Sequence, residues 1–295
     1  MPRRFLFFIF FVYLFTAIFL YRPILNSGFV SDDFDWIARA KNIPLTLENL
    51  FLRNAEDTRD SGVYRPITRL SFWLDYQASG LAPFGYHVVN VLLHLGSAFL
   101  LFWLVWQLAG RTNRWLAFLA GLFFLIFPNH PEAVSWISGR NDVLAVFFFL
   151  LSFNFYVLFR TGGRYLWLGV SSLSFALAIF SKEMVASLPI ILLVYELVWK
   201  KDISWRKKIL FILPSAAILV LYILLRQLST GLLFHSYSNI NSSFSFISAM
   251  NIFVRGLMSH FISPAHIWIT NGLANHWLLF ILLLVATVWL GWRFC

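Results

Sequence analysis

Two adjacent carboxylates, Asp32 and Asp33, offer the most concentrated chemistry in the chain, and Asp35 adds a third. They lie in the first polar segment after Phe5–Tyr21, an apolar run without a charged residue. Acidic side chains beside hydrocarbon are costly, so such a cluster indicates function more often than packing. A carboxylate in this position can remove the proton of an attacking group. The pair therefore predicts a catalytic base close to a membrane surface.

Further polar side chains recur at the ends of apolar segments, where they could act together with this pair. Arginine and lysine suit an anionic substrate, and a guanidinium group forms paired contacts with phosphate. The cations and their polar neighbours predict a reaction with an anionic substrate embedded in the membrane. The candidate binding residues are Arg65, Arg69, His87, His130, Glu132, Arg140, Lys182 and Glu183.

The elements that must position these residues are apolar helices. Hydrophobic residues form 60% of the 295-residue chain and charged residues 12%, about half the charged share of a soluble domain. Continuous apolar runs recur without the alternation of a β-barrel strand, so the sequence predicts an all-α polytopic membrane protein. We expect a single membrane domain, 1–295, with about eight transmembrane helices. The predicted spans are Phe5–Tyr21, Tyr86–Leu108, Trp115–Phe127, Asp142–Phe159, Tyr165–Phe180, Val185–Trp199, Lys208–Arg226 and Trp277–Trp292.

Charge in the connecting loops predicts the orientation. Short basic connections alternate with acidic ones, the pattern expected when basic loops stay in the cytoplasm. We therefore expect a cytoplasmic N-terminus, with a long first loop, 22–85, and a last loop, 228–276, on the periplasmic or lumenal side. The net charge of +10 is then largely a topology signal, and nothing indicates nucleic-acid binding. Cys295 is the single cysteine, which excludes an internal disulfide and a cysteine-based metal cage.

Each polar feature also has a structural interpretation. An arginine at the end of a span, such as Arg226 or Arg255, often extends to lipid headgroups. The turn at His130 and Glu132 could only end one helix and begin the next. A membrane transporter or flippase of lipid-linked sugars is the rival function class, but its site would lie near the bilayer midplane between inverted repeats. The polar groups here lie at one surface, and the sequence has no internal symmetry.

Five strings in the same order resemble one family, the transmembrane O-mannosyltransferases that carry tetratricopeptide repeats, together with their bacterial relatives. These enzymes are placed in the GT-C superfamily of glycosyltransferases that depend on polyprenyl-phosphate sugars. The resemblance runs from Phe29 to about Trp199. The strings are Phe29–Asp33 (FVSDD), Tyr64–Phe72 (YRPITRLSF), Pro83–His94 (PFGYHVVNVLLH), His130–Asp142 (HPEAVSWISGRND) and Ser181–Met184 (SKEM).

The resemblance implies a GT-C-like fold and an inverting glycosyltransferase in the bacterial inner membrane or the endoplasmic reticulum. It would transfer a mannose-like sugar from a polyprenyl-phosphate donor to a protein, lipid or glycan acceptor at the non-cytoplasmic face. Asp32 would be the base and Asp33 its neighbour. Arg65, Arg69, Arg140 and Lys182 would hold the lipid phosphate, with Glu183 beside them. His87, His130 and Glu132 would orient the sugar or the acceptor.

The resemblance also bears on cofactors and on the length of the chain. Asp33 and Asp35 form a DxD pattern, which binds a divalent metal in some oligosaccharyl-transferring relatives. The mannosyltransferase-like branch implies no metal, and we expect no cofactor. Family members usually continue through further spans into a repeat domain, whereas this chain stops at Cys295 without one. A truncated product, a fragment and a short, non-catalytic remnant therefore remain alternatives to an active enzyme.

Overall fold

A computed structural model describes residues 2–52, 63–127, 130–200 and 203–231, which all lie in one compact unit, Met1–His235. The described residues contain helices and no strands, as predicted. In this part of the chain, three 3₁₀ helices, Arg22–Asn26, Ile137–Gly139 and Glu183–Ser187, accompany the α-helices. The α-helices are α1 Arg3–Tyr21, α2 Asp33–Asn42, α3 Leu47–Phe51, α4 Pro66–Ser79, α5 Pro83–Leu108, α6 Arg114–Ile126, α7 His130–Ser135, α8 Arg140–Gly162, α9 Tyr165–Ile179, α10 Leu188–Val198 and α11 Trp205–Thr230.

The prediction of a polytopic helical membrane protein is confirmed. Each of the first seven predicted spans coincides with a helix. Within the described residues, four helical segments are long and apolar enough to cross a membrane: Arg3–Asn26, Pro83–Leu108, Ile137–Gly162 and Trp205–Thr230. Two more apolar helices, α6 and α9, are shorter. The eighth predicted span and most of the last loop lie outside the described residues, so the expected number of crossings stays a prediction.

Local sequence explains where several helices begin and end. Pro66 and Pro83 occupy the first turns of α4 and α5, where the missing N–H group costs no helical hydrogen bond. The Asn113 side chain accepts a hydrogen bond of 2.9 Å from the backbone N–H of Leu116 and so caps α6. Gly163 ends α8 with a φ of +69°, a left-handed conformation that glycine adopts without steric cost.

Small and polar side chains join the apolar helices, as is usual within membranes. Ser152 of α8 and Ser171 of α9 each donate a hydrogen bond to the other's backbone carbonyl, at 2.7 and 2.8 Å. Asn154 of α8 accepts a 2.7 Å hydrogen bond from Gln107 of α5. The Tyr13 hydroxyl donates to the Phe118 carbonyl at 2.7 Å and joins α1 to α6.

Long-range contacts define two ends of this bundle, which we name by their residues. At the Asp33 end, Asp33 contacts Ser138 just before α8, and Thr68 contacts Ser181 just after α9. At the Arg160 end, the Arg160 guanidinium pairs with Glu196 near the end of α10. Because α8 begins at the first end and finishes at the second, the two ends are separated by roughly 33 Å, at 1.5 Å per residue.

The predicted loop 22–85 contains α2, α3 and α4 within its described residues. Helix α2 packs on α4 through stacked rings of Trp36 and Phe72, whose centroids are 5.3 Å apart. Phe72 also contacts Tyr86 at the start of α5, with the centroids 6.2 Å apart. This packing places the acidic segment against the start of α5.

Candidate active site

The two adjacent acids have different surroundings. Asp33 is fully buried, and its Oδ1 atom accepts hydrogen bonds from the backbone N–H of Ser138 at 2.8 Å and the Ser138 hydroxyl at 2.5 Å. Its Oδ2 atom accepts from the backbone N–H of Val30 at 2.9 Å. Three donors thus stabilise the Asp33 carboxylate, which links the first polar segment to the start of α8.

Asp32, in contrast, is exposed. It occupies the N-cap position of α2, yet its carboxylate forms no capping bond. Its Oδ1 atom accepts a 3.1 Å hydrogen bond from the Ser31 hydroxyl. Ser31 has a φ of +50°, a left-handed conformation that is unfavourable for residues other than glycine and is concentrated at functional sites. The chain therefore presents one carboxylate to solvent and fixes the other in the interior.

His87 on α5 supports the backbone that leads to these acids. The buried ring places Nε2 3.2 Å from the Ser27 carbonyl oxygen, within hydrogen-bonding distance. The neighbouring Tyr86 packs edge-on against Phe29, with the ring centroids 5.4 Å apart. Both contacts hold the segment before Asp32 against the start of α5.

Arg140 is the largest fully buried side chain of the described residues. Its guanidinium pairs with Asp75 of α4 at 2.7 Å and donates to the Tyr86 carbonyl at 2.8 Å and to the Asn90 side chain. It also lies over the Phe72 ring, 5.0 Å from the centroid. Burial raises the pKa of Asp75 above its ordinary value, although the Arg140 charge opposes this effect. Arg140 thus joins α4, α5 and α8 without reaching the surface.

Gly139 lies between Ser138 and Arg140. Ser138 contacts the interior acid Asp33, and Arg140 contacts the interior acid Asp75. A Cβ atom at Gly139 would overlap the Ala133 carbonyl, so the close approach of these backbones requires glycine. Asn90 donates to the carbonyl oxygens of the same turn, at 3.1 Å to Trp136 and 3.3 Å to Ile137. The turn before α8 is therefore fixed from both sides.

A second group of charges surrounds the turn after α9. Arg65 forms a two-point ion pair with Glu183, with N–O distances of 2.8 and 3.2 Å. Burial acts to raise the pKa of Glu183, but the hydrogen bonds and charge of Arg65 outweigh it, and the pKa lies below its ordinary value. Backbone contacts reinforce the pair, since the Ile67 N–H donates to the Phe180 carbonyl at 3.1 Å. Helix α4 is thereby attached to the end of α9.

Lys182 belongs to this turn and contacts Asp142 of α8, with Nζ 2.5 Å from Oδ1. The exposed fractions of the Lys182 and Asp142 side chains are 24% and 35%, whereas that of Arg65 is 10%. Among the four predicted cations, Lys182 is thus the more accessible, Arg65 is partly accessible and Arg140 is fully buried.

Arg69, the remaining predicted cation, is half-buried and donates to the Asn49 carbonyl at 2.6 Å. Burial, together with the charge of Arg39, lowers the pKa of Arg69.

The remaining candidates lie on α7, close to the turn before α8. Glu132 is exposed there, and nothing is described of the His130 side chain. The structure therefore brings Asp33, His87 and Arg140 together at the start of α8. It places Lys182 and Glu183 at the turn after α9, with Arg65.

Sequence reasoning missed four residues that complete these groups: Asp75, Asn90, Ser138 and Arg226. Arg226 is buried, and its charge acts on Glu183 and on Tyr222, which lies one helical turn earlier in α11. Arg226 therefore does not simply extend to lipid headgroups. The spacing of Tyr222, Arg226 and Thr230 along one helix face is the signal that could have identified this polar stripe.

Asp33 and Asp35, the two acids of the DxD pattern, do not form a common metal site. Asp33 faces Ser138 in the interior, whereas Asp35 is exposed on the first turn of α2. Within the described ranges, no group of three or more histidine, cysteine, aspartate or glutamate side chains is arranged to hold a metal. The expectation of no metal remains a prediction.

Comparisons with known proteins support the resemblance. No family model and no solved structure matches the chain. Protein O-mannosyl-transferase Tmtc1 of Drosophila melanogaster is 38% identical over 151 residues, which cover 48% of this chain and 17% of the fly protein. Protein O-mannosyl-transferase TMTC2 of Homo sapiens is 46% identical over 94 residues, which cover 32% of this chain and 11% of the human protein. The matches thus span less than a fifth of these two relatives. Over the matched residues, the chain is thus similar to proteins named protein O-mannosyl-transferases, in agreement with the resemblance of the five strings.

Proposed function

We propose that the Asp33 end is the active site of a membrane glycosyltransferase, which moves a mannose-like sugar from a polyprenyl-phosphate donor to an acceptor. The observation that carries this proposal is the pairing of an exposed carboxylate, Asp32, with a buried one, Asp33, at the end of the bundle that also holds Lys182. The acceptor is a hydroxyl group of a protein, lipid or glycan. The names of the relatives support transfer of mannose to oxygen.

In the proposed reaction, Asp32 takes the proton of the acceptor hydroxyl. The acceptor oxygen then forms a bond to the anomeric carbon of the sugar. The bond between that carbon and the phosphate oxygen breaks, and the lipid phosphate leaves with the electron pair. Attack opposite to the leaving group inverts the anomeric centre. Asp33 is not the base in this scheme, because its oxygen atoms already accept hydrogen bonds from the N–H groups of Val30 and Ser138 in the interior; we assign it the positioning of Asp32.

Lys182 and Arg65 are the cations that we assign to the departing phosphate. Each already contacts a carboxylate that is about one-third exposed, Asp142 or Glu183. A lipid phosphate would replace these carboxylates as the partner of Lys182 or Arg65, exchanging one charge-assisted contact for another. Arg140 is assigned a positioning role, since its contact with Asp75 lies in the interior.

The test measures binding of a polyprenyl-phosphate mannose to the purified chain in detergent, followed by transfer to a panel of hydroxyl acceptors. Replacing Lys182 by alanine should weaken donor binding tenfold to a hundredfold, the usual effect of losing a hydrogen bond to a charged group. The matched control is Arg206→Ala, which removes an exposed cation at the start of α11 and should leave binding unchanged.

The outcomes separate the alternatives. Loss of binding in Arg206→Ala but not in Lys182→Ala would place the donor at the other end of the bundle and overturn the proposal. Tight donor binding without transfer to any acceptor would favour a non-catalytic remnant or a flippase. We further propose that the Asp33 end faces the periplasm or the lumen of the endoplasmic reticulum.

A further inference from the structure

A cavity lies at the Arg160 end, far from the proposed active site. It has a volume of about 420 Å³, within the range of small-molecule sites. It opens between the turn that joins α5 to α6 and the turn that joins α8 to α9. Its lining residues are Arg111, Leu158, Thr161, Gly162, Arg164 and Trp167.

The length of α8 fits a cavity at the level of a membrane interface. The roughly 33 Å length of α8 separates its lining residue Gly162 from Arg140. That length is close to the roughly 30 Å thickness of the hydrocarbon core of a bilayer. If Arg140 lies near one interface, Gly162 lies near the other, at the level of the lipid headgroups. Trp167 fits this level, because tryptophan concentrates where hydrocarbon meets water.

The cavity carries positive charge that no described carboxylate neutralises. Arg111 and Arg164 come from different turns, and neither forms an ion pair within the described ranges. No acidic residue is among the described residues that line the cavity. The nearby Arg160 differs, because its guanidinium contacts buried Glu196 at 2.6 Å. The charge of the cavity is thus available to a ligand.

The backbone and an aromatic ring hold Arg111 in place. Gly110 and Arg111 both adopt left-handed conformations, with φ of +62° and +63°, and the Arg111 N–H donates to the Trp106 carbonyl at 2.9 Å. The guanidinium lies over the Trp106 ring, 5.6 Å from its centroid. A single arginine at a helix end reaches toward headgroups without selecting one. Here, in contrast, two arginines from separate turns line one cavity.

We propose that this cavity binds the phosphate headgroup of an anionic phospholipid from the leaflet at the Arg160 end. Arg111 and Arg164 would contact the phosphate oxygens, and Leu158 and Trp167 would contact the upper part of the acyl chains. Basic cavities between membrane helices bind such headgroups through the same chemistry. The site does not depend on glycosyl transfer.

The experiment uses the purified full chain in phosphatidylcholine nanodiscs with increasing fractions of phosphatidylglycerol. Thermal unfolding is one readout. The number of bound lipids, counted by native mass spectrometry, is the other. The Arg111→Gln/Arg164→Gln variant should bind phosphatidylglycerol roughly thirtyfold more weakly, from the usual contribution of two interfacial cations. The control, Arg206→Gln/Lys207→Gln, removes two exposed cations outside the cavity and should weaken binding clearly less than the cavity variant does.

A third variant, Thr161→Trp, keeps both charges but fills the cavity, and it should also weaken phosphatidylglycerol binding. It decides the question if the double variant does not fold. Equal losses in the two double variants would mean that the membrane senses only total charge, and unchanged binding in Thr161→Trp would exclude the cavity. Stabilisation by inorganic phosphate equal to that by phosphatidylglycerol would assign the site to a soluble anion. Each of these results overturns the proposal.

Discussion

Asp33 and Ser138 are 105 positions apart in the chain, yet the backbone amide and the hydroxyl of Ser138 both donate to the same Asp33 oxygen. The contact joins the first polar segment to the turn before α8. It also fixes Asp33 next to Asp32. Of these two adjacent acids, Asp32 is exposed and Asp33 is buried. The buried carboxylate of Asp33 and the exposed carboxylate of Asp32 should therefore have separate roles, which mutation can distinguish.

We expect Asp32→Asn to lower turnover by roughly two to four orders of magnitude, because the amide keeps the size of the side chain but cannot accept a proton. Donor binding and folding should be unchanged, since Asp32 is exposed and its carboxylate accepts a hydrogen bond from the neighbouring Ser31 hydroxyl. Single-turnover kinetics with polyprenyl-phosphate mannose provides the measurement. Asp35→Asn, on the same helix and also exposed, is the control. A wild-type rate in Asp32→Asn would remove this residue from the mechanism.

Ser138→Ala should destabilise the fold rather than act on the chemistry directly. It removes the hydroxyl donor to a buried carboxylate, which costs about 1.5–3 kcal/mol. The free energy of unfolding in mixed micelles should fall by this amount. Ser172→Ala is a suitable comparison, because its hydroxyl donates only to the Leu168 carbonyl one turn earlier in the same helix. If both changes lowered the free energy of unfolding equally, the contact with Asp33 would stabilise the fold no more than a local hydrogen bond within a helix.

The pair of Arg140 and Asp75 should behave as a coupled unit. Either Arg140→Met or Asp75→Leu leaves a buried charge without its partner and should cost about 3–5 kcal/mol. Combining the two substitutions should restore part of that loss, because no unpaired charge remains. A double-mutant cycle on the free energy of unfolding measures this coupling. Strictly additive effects would contradict the role that the geometry gives to this ion pair.

Glu183 predicts a loss of stability in acid. Its pKa in the folded protein is lower than its ordinary value of 4.5, so its contribution is complete above that value. The contribution disappears as the pH falls through the lower, folded-state pKa, because protonation breaks the pair with Arg65. The Glu183→Gln variant should therefore lose less stability than the wild type between neutral pH and about pH 3. Parallel pH profiles for the two proteins would refute this linkage.

The orientation can be measured with single cysteines at Ala82 and Thr112, both exposed, in a Cys295→Ser background. Ala82 precedes α5 at the Asp33 end, and Thr112 follows α5 in the next turn. A membrane-impermeant thiol reagent on the non-cytoplasmic side should label Ala82→Cys and leave Thr112→Cys intact. The opposite pattern would invert the topology and place the proposed active site in the cytoplasm.

The helices could be predicted from sequence more readily than their partners, for a physical reason. Hydrophobicity is a local property, so the apolar runs indicated the helices directly. The contact of Arg140 with Asp75 arises only when α4 folds against α8, and no local pattern records it. The first loop likewise was expected from its polarity, but Trp36 and Phe72 allow α2 and α4 to pack as helices within it. Arg226 could have been identified as interior by its spacing from Tyr222.

The glycine at position 139 makes the site sensitive to a single change. Any larger residue there would push the turn away from Ala133, and both of its neighbours would move together. Ser138 would then leave Asp33, and Arg140 would leave Asp75, although neither side chain had been altered. The contact of Ser138 with Asp33 and that of Arg140 with Asp75 thus both depend on the glycine between them. A chain of this kind that carries alanine at this position would lose both at once, and such a replacement offers a way to disable the site while every charged group stays in the sequence.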